Sequence, residues 1–315
     1  MKVAVIGTGG WGLQHARVFS QHPKVELCAV VGRNAERAEA RAKQFHTKAY
    51  TDIDQMLTTE RPDLVSLCLP NQGHFEPTMQ VIKAGFPLIV EKPLVFELDE
   101  ATALLEAAGD RFFAICFNHR WAKPVRMAKE AIETGKVGEI VFASWRFGGE
   151  GSSDHPYANL IETQCHGFDM LEHLCGPIEA LSAEMTAHPS TMALSLKFRS
   201  GAVGSLLGSY DTSYAYPETQ RIEVSGSKGR FVIDDTVARY RFNQAGSETG
   251  EIWEAGYFND YDREFHRTFD SYMDAVIEAF LGGQAPPVHA RTGLRALELA
   301  HAAIRSSESG TRVTV

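Results

Sequence analysis

Nearly unbroken apolar runs punctuate the first third of the chain: Val3–Ile6, Val25–Val31 (VELCAVV), Leu64–Leu69 (LVSLCL), Phe86–Val90 and Arg111–Phe117 (RFFAICF). A strand covered on both faces reads this way, because neither side meets water. A short strand before Thr51 adds a sixth. Between the runs lie segments with helical spacing: 13–19, Ala35–Phe45, 51–58, His74–Ala84 and Glu97–Gly109. Strand and helix in alternation predict a doubly wound parallel sheet. The texture changes near Asn118. Ala122–Thr134 reads as a helix and Gly135–Gly138 as a turn. Strands are then predicted at Ile140–Phe147, Ala180–Thr186, Met192–Arg199, Val203–Tyr210, Gln220–Gly226, Arg230–Asp234 and Val237–Asn243. Many alternate polar and apolar positions, as a mainly antiparallel sheet with one open face requires. Helices at Asp262–Leu281 and Arg291–Ser306 and a last strand at Val313–Val315 complete the pattern. The expected fold class is α/β, with a doubly wound parallel domain over residues 1–118 and an α+β domain with a large open sheet over 119–315, the final helix packing back on the first.

Composition narrows the classes. At 315 residues and 44% hydrophobic content the chain can bury two cores. A formal charge of −9 argues against a nucleic-acid partner, whose phosphates need a basic face. No apolar run approaches the roughly 20 residues of a membrane span. The five cysteines, Cys28, Cys68, Cys116, Cys165 and Cys175, form no tight pairs. Reduced thiols, and an N-terminus leading directly into a strand without a signal core, predict a cytoplasmic protein.

Chemistry concentrates first at Gly7-Thr8-Gly9-Gly10-Trp11-Gly12, between a buried strand and a helix. Gly7 allows the tight turn, Gly9 admits a pyrophosphate to the backbone, and Gly12 lets the helix pack on the strand. The helix start offers unpaired N–H groups to phosphate. This predicts a Rossmann dinucleotide site containing Gly7, Gly9, Gly10, Trp11 and Gly12. At the end of the second strand an NAD-binding chain places an acid on the ribose; here Gly32-Arg33-Asn34 stands instead. A guanidinium pairs with a 2′-phosphate, so Arg33 favours NADP over NAD, with Asn34 or backbone on an NAD ribose as the other reading. Pro70, Asn71 and His74 follow the fourth strand, Leu64–Leu69, and Glu91-Lys92-Pro93 the next, all at the sheet edge where ligands bind.

A second constellation lies in Leu160–Gly176, LIETQCHGFDMLEHLCG. On one continuous helix Glu162, His166 and Asp169 share a face, which suits proton transfer as much as a solvated surface. Cys165, His166, His173 and Cys175 are poorly spaced for zinc, since adjacent helical residues diverge, and no metal is expected.

With Asn118-His119-Arg120-Trp121, Pro124, the Gly135–Gly138 turn and the ending A-R-T-G-L-R-A-L-E through G-T-R-V, these motifs resemble the glucose–fructose oxidoreductase / inositol dehydrogenase family over essentially the whole chain. The resemblance implies an NAD(P)-dependent oxidoreductase acting on the hydroxyl or carbonyl of a sugar, cyclic polyol or sugar derivative. It implies that Lys92 hydrogen-bonds the reacting oxygen and that His166 takes or gives the proton. Glu162 stands where many members carry Asp, and its extra methylene bears on substrate geometry. Arg120 and Tyr157 are further candidates for substrate contact. A homodimer or homotetramer is expected from the resemblance and from the uncovered sheet face. Two alternatives on the same scaffold are a non-catalytic dinucleotide sensor and an imine or biliverdin-type reductase.

Overall fold

The structure is a computed structural model that describes residues 1–256, 258 and 260–315. Its elements run β1 (Lys2–Ile6), α1 (Gly10–Gln21), β2 (Glu26–Val31), α2 (Ala35–Gln44), β3 (Lys48–Tyr50), α3 (Ile53–Glu60), β4 (Leu64–Leu67), α4 (Phe75–Lys83), β5 (Leu88–Glu91), α5 (Leu98–Ala108) and β6 (Phe113–Cys116). They continue with α6 (Lys123–Glu133), β7 (Ile140–Gly148), α7 (Cys165–Cys175), β8 (Ile178–Met185), β9 (Thr191–Phe198), β10 (Val203–Ser209), β11 (Gln220–Gly226), β12 (Gly229–Asp234), β13 (Arg239–Gln244) and β14 (Gly250–Glu254). Then come α8 (Arg267–Leu281), α9 (Arg291–Ser309) and β15 (Val313–Thr314). The chain forms two compact units, Met1–Phe117 with Phe269–Leu297, and Asn118–Thr268 with Glu298–Val315.

The first unit is built on a six-stranded parallel sheet in the order β3-β2-β1-β4-β5-β6. Every residue of β4, β5 and β6 is buried, which explains their almost wholly apolar sequence, broken by Ser66 and Glu91. The order reverses between β1 and β4, and a crevice opens at such a switch point beyond the carboxyl ends of the strands. Within this unit α8 lies against α1: Arg17 pairs with Asp270 at 2.5 Å and Trp11 packs on Phe269 at 5.5 Å.

The second unit carries a nine-stranded sheet, β14-β13-β12-β11-β7-β10-β9-β8-β15. Only β7 and β10 pair in parallel; the other neighbours are antiparallel. In β9, Met192, Leu194, Leu196 and Phe198 are buried while Ala193 and Ser195 are exposed. Helices α6 and α7 cover the buried face. Two glycines bring α7 close: a Cβ on Gly167 would stand 2.6 Å from the Trp145 ring, and one on Gly208 2.5 Å from the Gln164 side chain. On the open face Val203, Leu207 and Phe142 are 52%, 45% and 42% exposed. A cavity of about 660 Å³ opens on this unit, lined in part by Arg146, Met192, Leu207 and Tyr216.

Three local expectations change. The single helix expected over Leu160–Gly176 is a π-helical turn, Asn159–Thr163, followed by α7. The helix expected from Asp262 is a 3-10 turn, Asp260–Arg263, ahead of α8 at Arg267. Strand β14 had no counterpart in the sequence pattern, because as an edge strand it buries neither face and carries no alternation. Among the described residues no helix is long and apolar enough to cross a membrane.

Candidate active site

The glycine turn of the first unit has the shape its sequence demands. Gly7 sits at φ +126°, and a Cβ there would lie 2.1 Å from the Cys68 carbonyl oxygen. A Cβ on Gly12 would lie 2.1 Å from the Gly7 carbonyl oxygen, so α1 packs on the turn itself. Gly9 and Gly10 differ: nothing lies within 4 Å of a Cβ built on either. Gly9 caps α1 with no side chain to occupy the first N–H groups, and no acid stands in the first turn. This end of α1 therefore fits a dinucleotide pyrophosphate, with bare backbone donors and open space beside them. Trp11 is half exposed beside them.

At the end of β2 the Asn34 side chain accepts from the Arg37 N–H at 2.8 Å and caps α2. Arg33 is exposed. A Cβ on Gly32 would meet the Thr8 methyl at 2.6 Å, so the glycine turn and the end of β2 touch. Pro70 leads into a 3-10 turn, Asn71–Gly73. His74 points inward: Nδ1 lies 2.7 Å from the Pro93 carbonyl and Nε2 3.0 Å from that of Leu69. Burial pushes its protonated form down.

Lys92 follows the last residue of β5 and is half-buried. Glu91 before it is buried, its Oε1 2.8 Å from His15 Nε2. Burial opposes ionisation of Glu91, yet the His15 hydrogen bond and charge, together with Lys92, hold its carboxyl below the usual range.

In the second unit the π-turn bears Glu162 and the first turn of α7 bears His166. Gln164, fully buried between them, accepts from Trp145 Nε1 at 2.8 Å and donates to Asn159 Oδ1 at 2.9 Å, which pins the segment to β7. A π-turn inserts one residue per turn and re-aims the side chains after it. Asp169 is drawn into structure rather than chemistry: Arg120 grips it with Nε–Oδ2 at 3.0 Å and Nη2–Oδ1 at 2.5 Å. Burial raises the Asp169 carboxyl and the guanidinium opposes that shift. Tyr157 donates to Glu308 at 3.2 Å. Arg146 donates to the Glu218 carbonyl at 2.7 Å, while the preceding residue, Trp145, faces α7.

Sequence reasoning missed His119. Its ring stacks on His166 with centroids 3.9 Å apart and planes 8° apart. Phe265 meets it edge-on at 5.2 Å. Gln220 Nε2 lies 3.5 Å from His119 Nδ1, and Thr236 donates to Gln220 Oε1. The sequence marks His119 only as part of the Asn118-His119-Arg120-Trp121 motif after a buried strand; the pairing with His166 depends on the tertiary fold. Of the residues weighed for zinc, burial pushes His173 down to about 3 and Cys175 up to about 12.

A parallel sheet in this strand order, with a glycine turn entering α1, defines a Rossmann dinucleotide-binding protein joined to a separate unit with a large mixed sheet. Residues 1–114 match the oxidoreductase family's NAD-binding Rossmann fold and residues 129–315 its C-terminal alpha/beta domain. The chain belongs to this GFO/IDH/MocA family of NAD-binding oxidoreductases and is an enzyme of the dehydrogenase and reductase class. A myo-inositol 2-dehydrogenase of Thermotoga maritima is 27% identical over 327 residues, spanning 98% of this chain and 96% of its own. An inositol 2-dehydrogenase of Saccharopolyspora erythraea is 24% identical over 328 residues, spanning 100% and 96%. A levoglucosan dehydrogenase solved with NADH shares the fold, at a TM-score of 0.89 and 20% identity over 100% of this chain and 99% of that one.

Proposed function

We propose that the chain transfers hydride between nicotinamide and a CH–OH or carbonyl carbon of a sugar, cyclic polyol or sugar derivative. Lys92 and His166 serve the same substrate oxygen. The observation that carries this reading is Lys92 itself, at the carboxyl end of β5 beside the buried Glu91 carboxylate, whose charge it helps to hold. When bound, the nicotinamide supplies the hydride chemistry. Lys92 donates a hydrogen bond to the oxygen and stabilises negative charge developing there. His166 accepts the hydroxyl proton during oxidation and returns it during reduction. Glu162, one turn before His166, binds a neighbouring substrate hydroxyl, with Arg120 and Tyr157 as further contacts.

Arg33 gives the cofactor site a preference for NADP, because no carboxylate opposes a 2′-phosphate there and the guanidinium is exposed to meet it. The inositol and levoglucosan dehydrogenase relatives support a polyhydroxylated substrate. The open face of the nine-stranded sheet supports a homo-oligomer formed sheet on sheet.

The test is a cofactor-linked absorbance screen across polyols, sugars and sugar derivatives, with NAD and NADP in parallel. Turnover of at least one such substrate, faster with NADP and lost in His166→Asn, is the expected result. Cofactor binding with no turnover of any such substrate contradicts the substrate class, and full turnover in His166→Asn contradicts the role of the imidazole.

A further inference from the structure

Lys92 stands between two buried histidines, and each holds the residue beside it. On one side Glu91 turns inward and its Oε1 meets His15 Nε2 at 2.8 Å. The other ring nitrogen, Nδ1, lies 2.7 Å from Ser66 Oγ on β4. The second oxygen of Glu91 accepts the backbone N–H of Lys92 at 3.2 Å. Phe19 and Phe269 close over the His15 ring at 6.3 and 5.5 Å. On the other side His74 bridges the Pro93 and Leu69 carbonyls at 2.7 and 3.0 Å. The four polar residues are buried, His15 and Ser66 completely.

Stability alone does not account for this arrangement. Removing a carboxylate and an imidazole from water costs several kcal/mol each, and apolar residues of equal volume often do as well or better. The arrangement does fix geometry. His15 projects from α1, whose first turn carries the glycine motif, and reaches both β4 and β5. His74 joins the end of β4 to the peptide just after Lys92. The backbone bearing the ammonium is thus tied at one flanking residue to α1, which begins at the glycine turn, and at the other to the end of β4.

We propose that His15 and His74 are positioning residues for Lys92, His15 acting through the Glu91 carboxylate and His74 through the Pro93 carbonyl. The inference rests on the role given to Lys92 above and adds what aims it. Misplacing a reacting group by about 1 Å can cost on the order of 100-fold in rate. Loss of either histidine therefore lowers kcat while leaving the phosphate-binding turn and the substrate pocket in place.

Four substitutions separate positioning from packing. His15→Leu and His74→Leu keep volume and remove the hydrogen bonds. His15→Gln restores a donor near Nε2, and His74→Asn restores one near Nδ1. For each, NADPH and NADH affinity is measured by calorimetry, stability by thermal melting, and kcat and KM are normalised to cofactor-binding sites. Both leucine variants are expected to lose about 10–100-fold in kcat, with KM and cofactor Kd within about threefold of the parent, and the amide variants to recover most of that loss. If a leucine variant does not fold, Glu91→Gln, which keeps the shape and removes the charge, gives the same reading for the His15 arm, and His74→Gln for the other. Full kcat per cofactor-binding site in folded variants overturns the proposal, as does a loss that the amide variants fail to recover. Lys92→Ala is run alongside: full turnover there overturns the role of the lysine itself, whereas a dead Lys92→Ala beside active histidine variants overturns only the positioning.

Discussion

The ionisable groups of this chain sort by what burial does to them. His173 is held neutral, down to about 3, by burial and by the nearby Arg120 and Lys129 charges. An unfolded histidine takes up its proton near 6.5, so as pH falls below that value the unfolded state binds a proton that the native state refuses. Stability is lost progressively from about pH 6.5 toward 3, by up to about 1.4 kcal/mol per pH unit from this one group. His173→Gln is therefore expected to flatten the dependence of melting temperature on pH between about 6.5 and 5, relative to the parent. An unchanged slope contradicts the assignment. Two of the neighbours expected to share a chemical face prove to have different tasks. His166 stacks on another imidazole, whereas Asp169 is consumed by Arg120. Arg120→Ala leaves that carboxylate buried without its cation and is expected to destabilise by about 3–5 kcal/mol, read in denaturant melts.

At the level of elements, much of the architecture was legible because burial and sequence pattern agree. The central parallel strands of the first unit are mostly apolar, Ser66 and Glu91 apart, because both faces are covered, and β9 alternates because only one is. The pattern failed where burial does not discriminate. β14 has neither face buried, and the π-turn before α7 differs from an α-helix by a hydrogen-bond offset that side-chain periodicity does not encode. The motifs at Lys92 and His166 stand out in sequence, but the contacts around them, His15 with Ser66 and Glu91, and His119 with His166, join distant elements and are not encoded in local pattern. The glycine turn yields a sharp contrast. Gly12→Ala places a methyl against the Gly7 carbonyl and is expected to cost about 1–3 kcal/mol of stability. Gly9→Ala meets nothing within 4 Å and has an ordinary φ of −75°, so its melting temperature should stay near that of the parent while dinucleotide affinity falls about tenfold or more. Equal losses of stability in the two variants contradict the separate roles of these glycines.

At the scale of the whole molecule, each unit brings its own half of the proposed chemistry. The proposed sheet-on-sheet association would use the open face of the second unit, and Leu207→Lys, which puts a charge among its exposed apolar residues, is then expected to shift sedimentation toward the monomer without changing the fold. The central claim is that Lys92 and His166 act on one oxygen. The most direct measurement is the single-turnover rate of hydride transfer, at saturating cofactor, in Lys92→Ala, His166→Asn and the double variant. Each single change should lower the rate by about 100–10,000-fold with cofactor affinity retained, and the double variant should be little slower than the worse single, because groups that serve one transition state fail together. Losses that multiply in the double variant, or a single variant that turns over at the parent rate, would contradict it.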